Sequence, residues 1–168
     1  MAGQLELLVD FLVLCFRTKG GFCLLHLYVW KGGDIVVNTY DSYLKEPKSM
    51  ALEQMQNLHM ELMNEIGKDS DALELYNQLC KACESYMVMR AKWQRMSREE
   101  KLDQDSLRTS YHDSVIIHFN MLARYLRMKG KKAEWRDKLG DEKADQFCRK
   151  SIGDFGCYIV FVNSICSR

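Results

Sequence analysis

The sequence predicts an all-α protein: a compact bundle of four to five helices over residues 50–168, preceded by a poorly determined N-terminal segment, residues 1–49, that is either a hairpin or disordered. Three observations predict it. Downstream of Pro47, the only proline in the chain, apolar residues recur at helical spacing almost to the end. Glycines stand where those periodic runs stop, as helix C-termini require. Composition also changes at Pro47: residues 1–49 hold ten charged groups, five of each sign, and five of the ten glycines, whereas 37 charges fall in residues 50–168.

A chain of 168 residues, 47% apolar and 28% charged, can bury a core without metal or disulfide staples. A net charge of +1 argues against a strongly basic nucleic-acid binder, though not against a local patch. The seven cysteines are odd in number and sit mostly among apolar residues, which reads as free thiols in a reducing compartment. Glu6 and Asp10 stand where a secretory leader would be positive, and the apolar runs Phe11–Phe16 and Phe22–Trp30 fall short of the ~18–20 residues that span a bilayer. A cytoplasmic protein without membrane association is expected.

The elements follow in order. Phe22–Trp30 and Asp34–Tyr40 alternate like strands around Lys31-Gly32-Gly33, a hairpin turn. A second reading competes with this hairpin. Lys45-Glu46 is encodable as AAG GAG, a bacterial ribosome-binding sequence, three codons before Met50, so residues 1–49 read equally as an extension upstream of the natural start. Met50–Ile66 is a helix, with Leu52, Met55, Leu58, Leu62 and Ile66 on one face and Gly67 as its stop. Asp71, with Glu74 three residues on, caps a second helix running to about Met96. Ser97-Arg98-Glu99-Glu100 is another capping box, opening a short helix or turn. DQDSLRT then leads into the helix RTSYHDSVIIHFNMLARYLR, ended by Gly130. Lys132–Leu139 adds one or two turns, ended by Gly140. The last helix starts near Asp141 and carries Ala144, Cys148, Phe155, Ile159, Val162 and Cys166 on one stripe, with Val160 and Phe161 off it. A helix apolar on more than one side is buried within the bundle or forms a homodimer seam.

Val115, Phe119, Leu122 and Leu126 define the inward face of the fourth segment; Arg108 and His112 fall on or beside it, and Asp113, Asn120 and Arg124 lie on its flank. An inward arginine needs a partner, and Glu84 or Asp154 would serve. The pair therefore reads first as a structural polar network at the bundle end. The alternative is catalytic: His112 as general acid or base, Arg108 on a phosphate. Arg124, Arg127, Lys129, Lys131 and Lys132, followed by Trp135-Arg136, form a basic patch suited either to nucleic acid or simply to solvent and the helix dipole. Cys80-Lys81-Ala82-Cys83 lies mid-helix, without the second ligand pair that zinc needs, and reads as core packing. Asp154-Phe155-Gly156 matches the kinase magnesium motif by chance, but Gly153 and Gly156, three apart, suit a close helix approach. Neither a metal nor a cofactor is expected.

The pair Arg108-Thr109-Ser110-Tyr111-His112 resembles the HEPN superfamily, all-helical domains whose ribonuclease members carry an arginine and a histidine on one helix; its spacing here is narrower than is usual there. Across residues 70–168, the strings RTSYHDSVIIHFNMLARYLR, AEWRDKLG and RKSIGDFGCYIVFVNSICSR are similar to a small family of Firmicutes proteins catalogued as a domain of unknown function, number 3232. That resemblance implies a bacterial helical bundle, often carried on mobile elements, with no assigned reaction. The expected function is a non-enzymatic interaction or regulatory protein; the alternative is an HEPN-like protein that cleaves RNA or binds nucleic acid.

Overall fold

The structure is a computed structural model that describes residues 15–18, 21–24, 48–140 and 146–166. In the N-terminal part, β1 (Cys15–Thr18) pairs antiparallel with β2 (Gly21–Leu24), with Thr18 opposite Gly21 and Cys15 opposite Leu24. The expected turn at Lys31-Gly32-Gly33 and the strand Asp34–Tyr40 lie outside the described residues. The described ladder lies earlier in the chain, pairing residues 15–18 with 21–24.

From Leu52 onward the described elements are all helices, as expected. Five helices are described: α1 (Leu52–Ile66), α2 (Ser70–Trp93), α3 (Arg98–Met128), α4 (Glu134–Asp137) and α5 (Gln146–Cys166). α1 buries Met55, Leu58, Leu62 and Ile66, four of the five apolar positions expected; Leu52 stays exposed. The cap of α2 is Asp69, not Asp71. Its carboxylate accepts from the Asp71 and Ala72 N–H groups at 3.0 and 3.1 Å, and those bonds hold its pKa below the usual carboxylate range. Asp69 sits one residue before a free first turn, whereas Asp71 already lies inside it.

The capping box at Ser97 forms as expected: Ser97 Oγ accepts from the Glu100 N–H at 3.2 Å, and Glu100 accepts from the Ser97 N–H at 2.7 Å. It opens not a short helix but the whole of α3, 31 residues long, which absorbs DQDSLRT. No glycine or proline interrupts that run. None of its first fourteen residues is buried, and the half-buried ones, Lys101, Gln104, Arg108 and Tyr111, are spaced 3, 4 and 3 apart. This is a helical seam written in polar residues, which an apolar pattern cannot register.

The end of α2 meets the start of α3 (Arg108 over Trp93) and the start of α2 meets the end of α3 (Tyr125 on Asp69), so the two are antiparallel. α5 packs on both and also touches α1. It runs antiparallel to α2, with Asn163 at Tyr76 and Asp154 at Arg90. Ile152 to Val160 is an unbroken run of nine buried residues, so α5 is the central helix. Burial within the bundle, rather than a dimer seam, accounts for its second apolar side. Val160 is buried and Phe161 half-buried; Ala144 and the side chain of Cys166 lie outside the described residues.

Gly153 and Gly156 make the centre possible. A Cβ on Gly153 would stand 2.9 Å from Tyr86 Oη and 3.0 Å from His112 Nε2; one on Gly156 would stand 3.0 Å from Cys83 Sγ. Cys83 is fully buried and Cys80 accepts from Asn163 Nδ2 at 3.0 Å, with burial pushing the Cys80 thiol up to about 11, so this pair is core packing. No described helix is long and apolar enough to cross a membrane.

Candidate functional site: a basic cleft between α2, α3 and α5

A cleft of about 760 Å³ opens where the end of α2, the first half of α3 and the start of α5 converge. Arg90, Trp93, Arg108, His112, Arg149 and Lys150 line it, with Tyr86, Gln94, Thr109 and Asp113 completing the wall. Four cations and one carboxylate are among its lining residues, and Arg90 and Arg108 pair with acids outside the lining, Asp154 and Asp105. Both Arg108 and His112 are in it.

Arg108 meets a different partner from the one expected, whereas His112 is inward as expected. Arg108 does not reach Glu84 or Asp154. Its guanidinium lies over the Trp93 ring, 4.5 Å from the centroid, and donates to Asp105 at 2.9 and 3.3 Å, an exposed pair. The start of α3 projects beyond the apolar core, so an arginine facing α2 there meets an aromatic ring and water rather than a buried acid. Asp154 is fully buried and takes Arg90 instead, at 2.6 Å, with its second oxygen accepting from the N–H and Oγ of Ser49, each at 2.7 Å. Ser49, on the extension side of the expected 49/50 boundary, is thereby tied to α5.

His112 is inward and buried. A carbonyl can only accept, so His112 Nε2–H donates to the Arg149 carbonyl at 2.7 Å, and Nδ1 is then left to accept from Arg149 Nη2 at 3.3 Å. This is the neutral imidazole with both nitrogens engaged. Its pKa is lowered, chiefly because burial disfavours the cation. The Tyr86 ring packs edge-on against it, centroids 4.9 Å apart. Asp113, assigned to the flank, pairs with Arg149 and lines the cleft, because α5 covers that flank.

Sequence reasoning missed Arg90, Trp93, Gln94, Arg149 and Lys150. Three lie at one helix end and two at another helix start, and only the packing of α5 on the antiparallel α2–α3 pair brings them together. The capping box at Ser97 was the available signal: it implies a tight reversal that sets Arg90–Trp93 against the first turns of α3.

The basic patch lies elsewhere, at the far end of α3. Arg127 pairs with Asp137 at 2.6 Å, Lys132 with Glu134 at 3.5 Å, and Lys129 covers the Tyr125 ring at 5.2 Å. Arg124 and Lys131 are exposed. Trp135 and Arg136 turn inward: Trp135 Nε1 donates to Glu65 at 3.0 Å and Arg136 Nε to Asn120 at 2.7 Å. Among the described residues no group of three or more His, Cys, Asp or Glu side chains could hold a metal ion. Comparison with family models, with curated proteins and with solved structures returns no match to this chain.

Proposed function

We propose that the bundle is a non-enzymatic binding module whose working surface is the cleft between α2, α3 and α5, and that its ligand is a phosphate-bearing anion. The observation that carries this is a cleft of ligand size lined by four cations, two of which have only exposed carboxylates, Asp105 and Asp113, as ion-pair partners. Two of those cations are exchangeable. Arg108–Asp105 and Arg149–Asp113 are both substantially exposed pairs, worth little in water, so a doubly charged phosphate can replace either carboxylate at small cost. Lys150 is exposed and makes no ion pair among the described residues. The engaged ring nitrogens of His112 favour binding over proton transfer. Kinship with the Firmicutes family, and with it a regulatory role on mobile elements, belongs to the same proposal and rests on the three sequence strings.

The test is a thermal-shift titration with inorganic phosphate, with sodium chloride matched for ionic strength. Phosphate is expected to raise the Tm of the native chain and to do so about tenfold less potently for Lys150→Ala, whose own Tm should be unaltered. Equal shifts in chloride and phosphate would refute the site.

A second reading, HEPN-like RNA cleavage, is favoured by one observation, that Arg108 and His112 line the same cleft. Incubation with labelled RNA decides it: cleavage abolished by Arg108→Ala or His112→Ala, with the fold intact, would establish an enzyme.

A further inference from the structure

Resting on the phosphate reading of the cleft, we infer that its ligand is a nucleotide, with the base layered on the Trp93–Arg108 stack and the phosphate on Arg149 and Lys150. Simple anion capture needs only cations. This cleft also carries a flat surface: the Arg108 guanidinium lies over the indole of Trp93 at 4.5 Å, and Asp105 anchors its edge through two bonds to one oxygen. A guanidinium plane backed by an aromatic ring is a platform on which any base can stack. Beside it stand the amide of Gln94, which both donates and accepts, and the hydroxyl of Thr109, suited to the polar edge of a base. Arg149 and Lys150 line the same cleft from the start of α5, and Arg149 is oriented by His112 and Asp113. A volume of about 760 Å³ accommodates a mononucleotide. Arg90 also lines the cleft and is held there by the fully buried Asp154.

A base beside a phosphate has two sources: a free nucleotide, or one residue of a single-stranded RNA. NMR titrations of the full chain with inorganic phosphate, adenosine 5′-monophosphate and a short mixed-sequence RNA separate them. Adenosine monophosphate is expected to bind about tenfold more tightly than phosphate, the gain from one stacked base. Trp93→Leu should erase that difference while phosphate still binds, and Trp93→Phe should keep most of it. Phosphate and adenosine monophosphate binding equally to the native chain would overturn the nucleotide inference and leave the anion cleft standing. Absence of binding by all three probes would remove both. If the inference holds, tighter RNA binding with the same Trp93 dependence assigns the RNA source, and equal or tighter binding of the mononucleotide assigns the free one.

Discussion

Glu65 shows how one side chain can hold a whole connection. Its carboxylate accepts from the Ala133 N–H at 3.0 Å and from Trp135 Nε1 at 3.0 Å, both on fully buried residues, and Ala133 itself stands in the left-handed region at φ 51°. Glu65→Ala strands two buried donors and is expected to cost about 2–4 kcal/mol in urea unfolding, while Glu65→Gln, which keeps one acceptor oxygen, should cost less. His59 is the second such residue. It bonds Tyr76 Oη at 2.9 Å, and burial lowers its pKa from 6.5 to about 4. The unfolded chain therefore binds more protons, so the stability is complete above pH 6.5 and is lost as pH falls towards about 4. His112, lowered for the same first reason, acts in the same direction. Unfolding curves over that window should show a slope of up to about 1.4 kcal/mol per pH unit from His59, reduced in His59→Gln. An unchanged slope in the variant would count against this assignment.

Helices here are specified by their ends and by contact glycines as much as by apolar stripes. Gly153→Ala gains up to about 1 kcal/mol of helix propensity but drives a methyl to 2.9 Å from Tyr86 Oη, and overpacking costs about 1–3 kcal/mol, so a net loss of about 1 kcal/mol in thermal unfolding is expected. Gly130→Ala meets nothing within 4 Å, yet its φ of +76° makes the same change unfavourable by about 1 kcal/mol through backbone strain alone. Both glycine roles were legible in the sequence, as were the Ser97 box, the stops at Gly67, Gly130 and Gly140, and the core stripe of α1; of the stripe expected on α5, Phe155 and Ile159 are buried and Cys148 and Val162 half-buried. The true length of α3 and the cap of α2 were not. The first half of α3 packs through Lys101, Gln104, Arg108 and Tyr111, side chains that register as solvent-facing in any hydrophobic pattern, and Asp69 and Asp71 offer the same carboxylate two residues apart.

On the scale of the molecule, Asp154 joins three distant parts of the chain: Ser49, Arg90 on α2, and its own helix. Asp154→Ala removes the buried carboxylate that bonds Arg90 and two donors of Ser49, and about 3–5 kcal/mol should be lost in chemical denaturation, with Ser49→Ala losing about 1 kcal/mol. The candidate site was half legible. Arg108 and His112 share a helix and could be paired on paper, whereas Arg149 and Lys150 join them only through the packing of α5, which no local pattern encodes.

The placement of α5 also sets an order in time. The most enclosed helix is the last of the described helices to leave the ribosome, and at roughly 5–20 residues per second the chain needs seconds to pass from α3 to the end of α5. Throughout that interval α1, α2 and α3 present to the cell the apolar trough that Ile152–Val160 will fill. Assembly of this core waits on α5, and the exposed trough is what a chaperone would meet first.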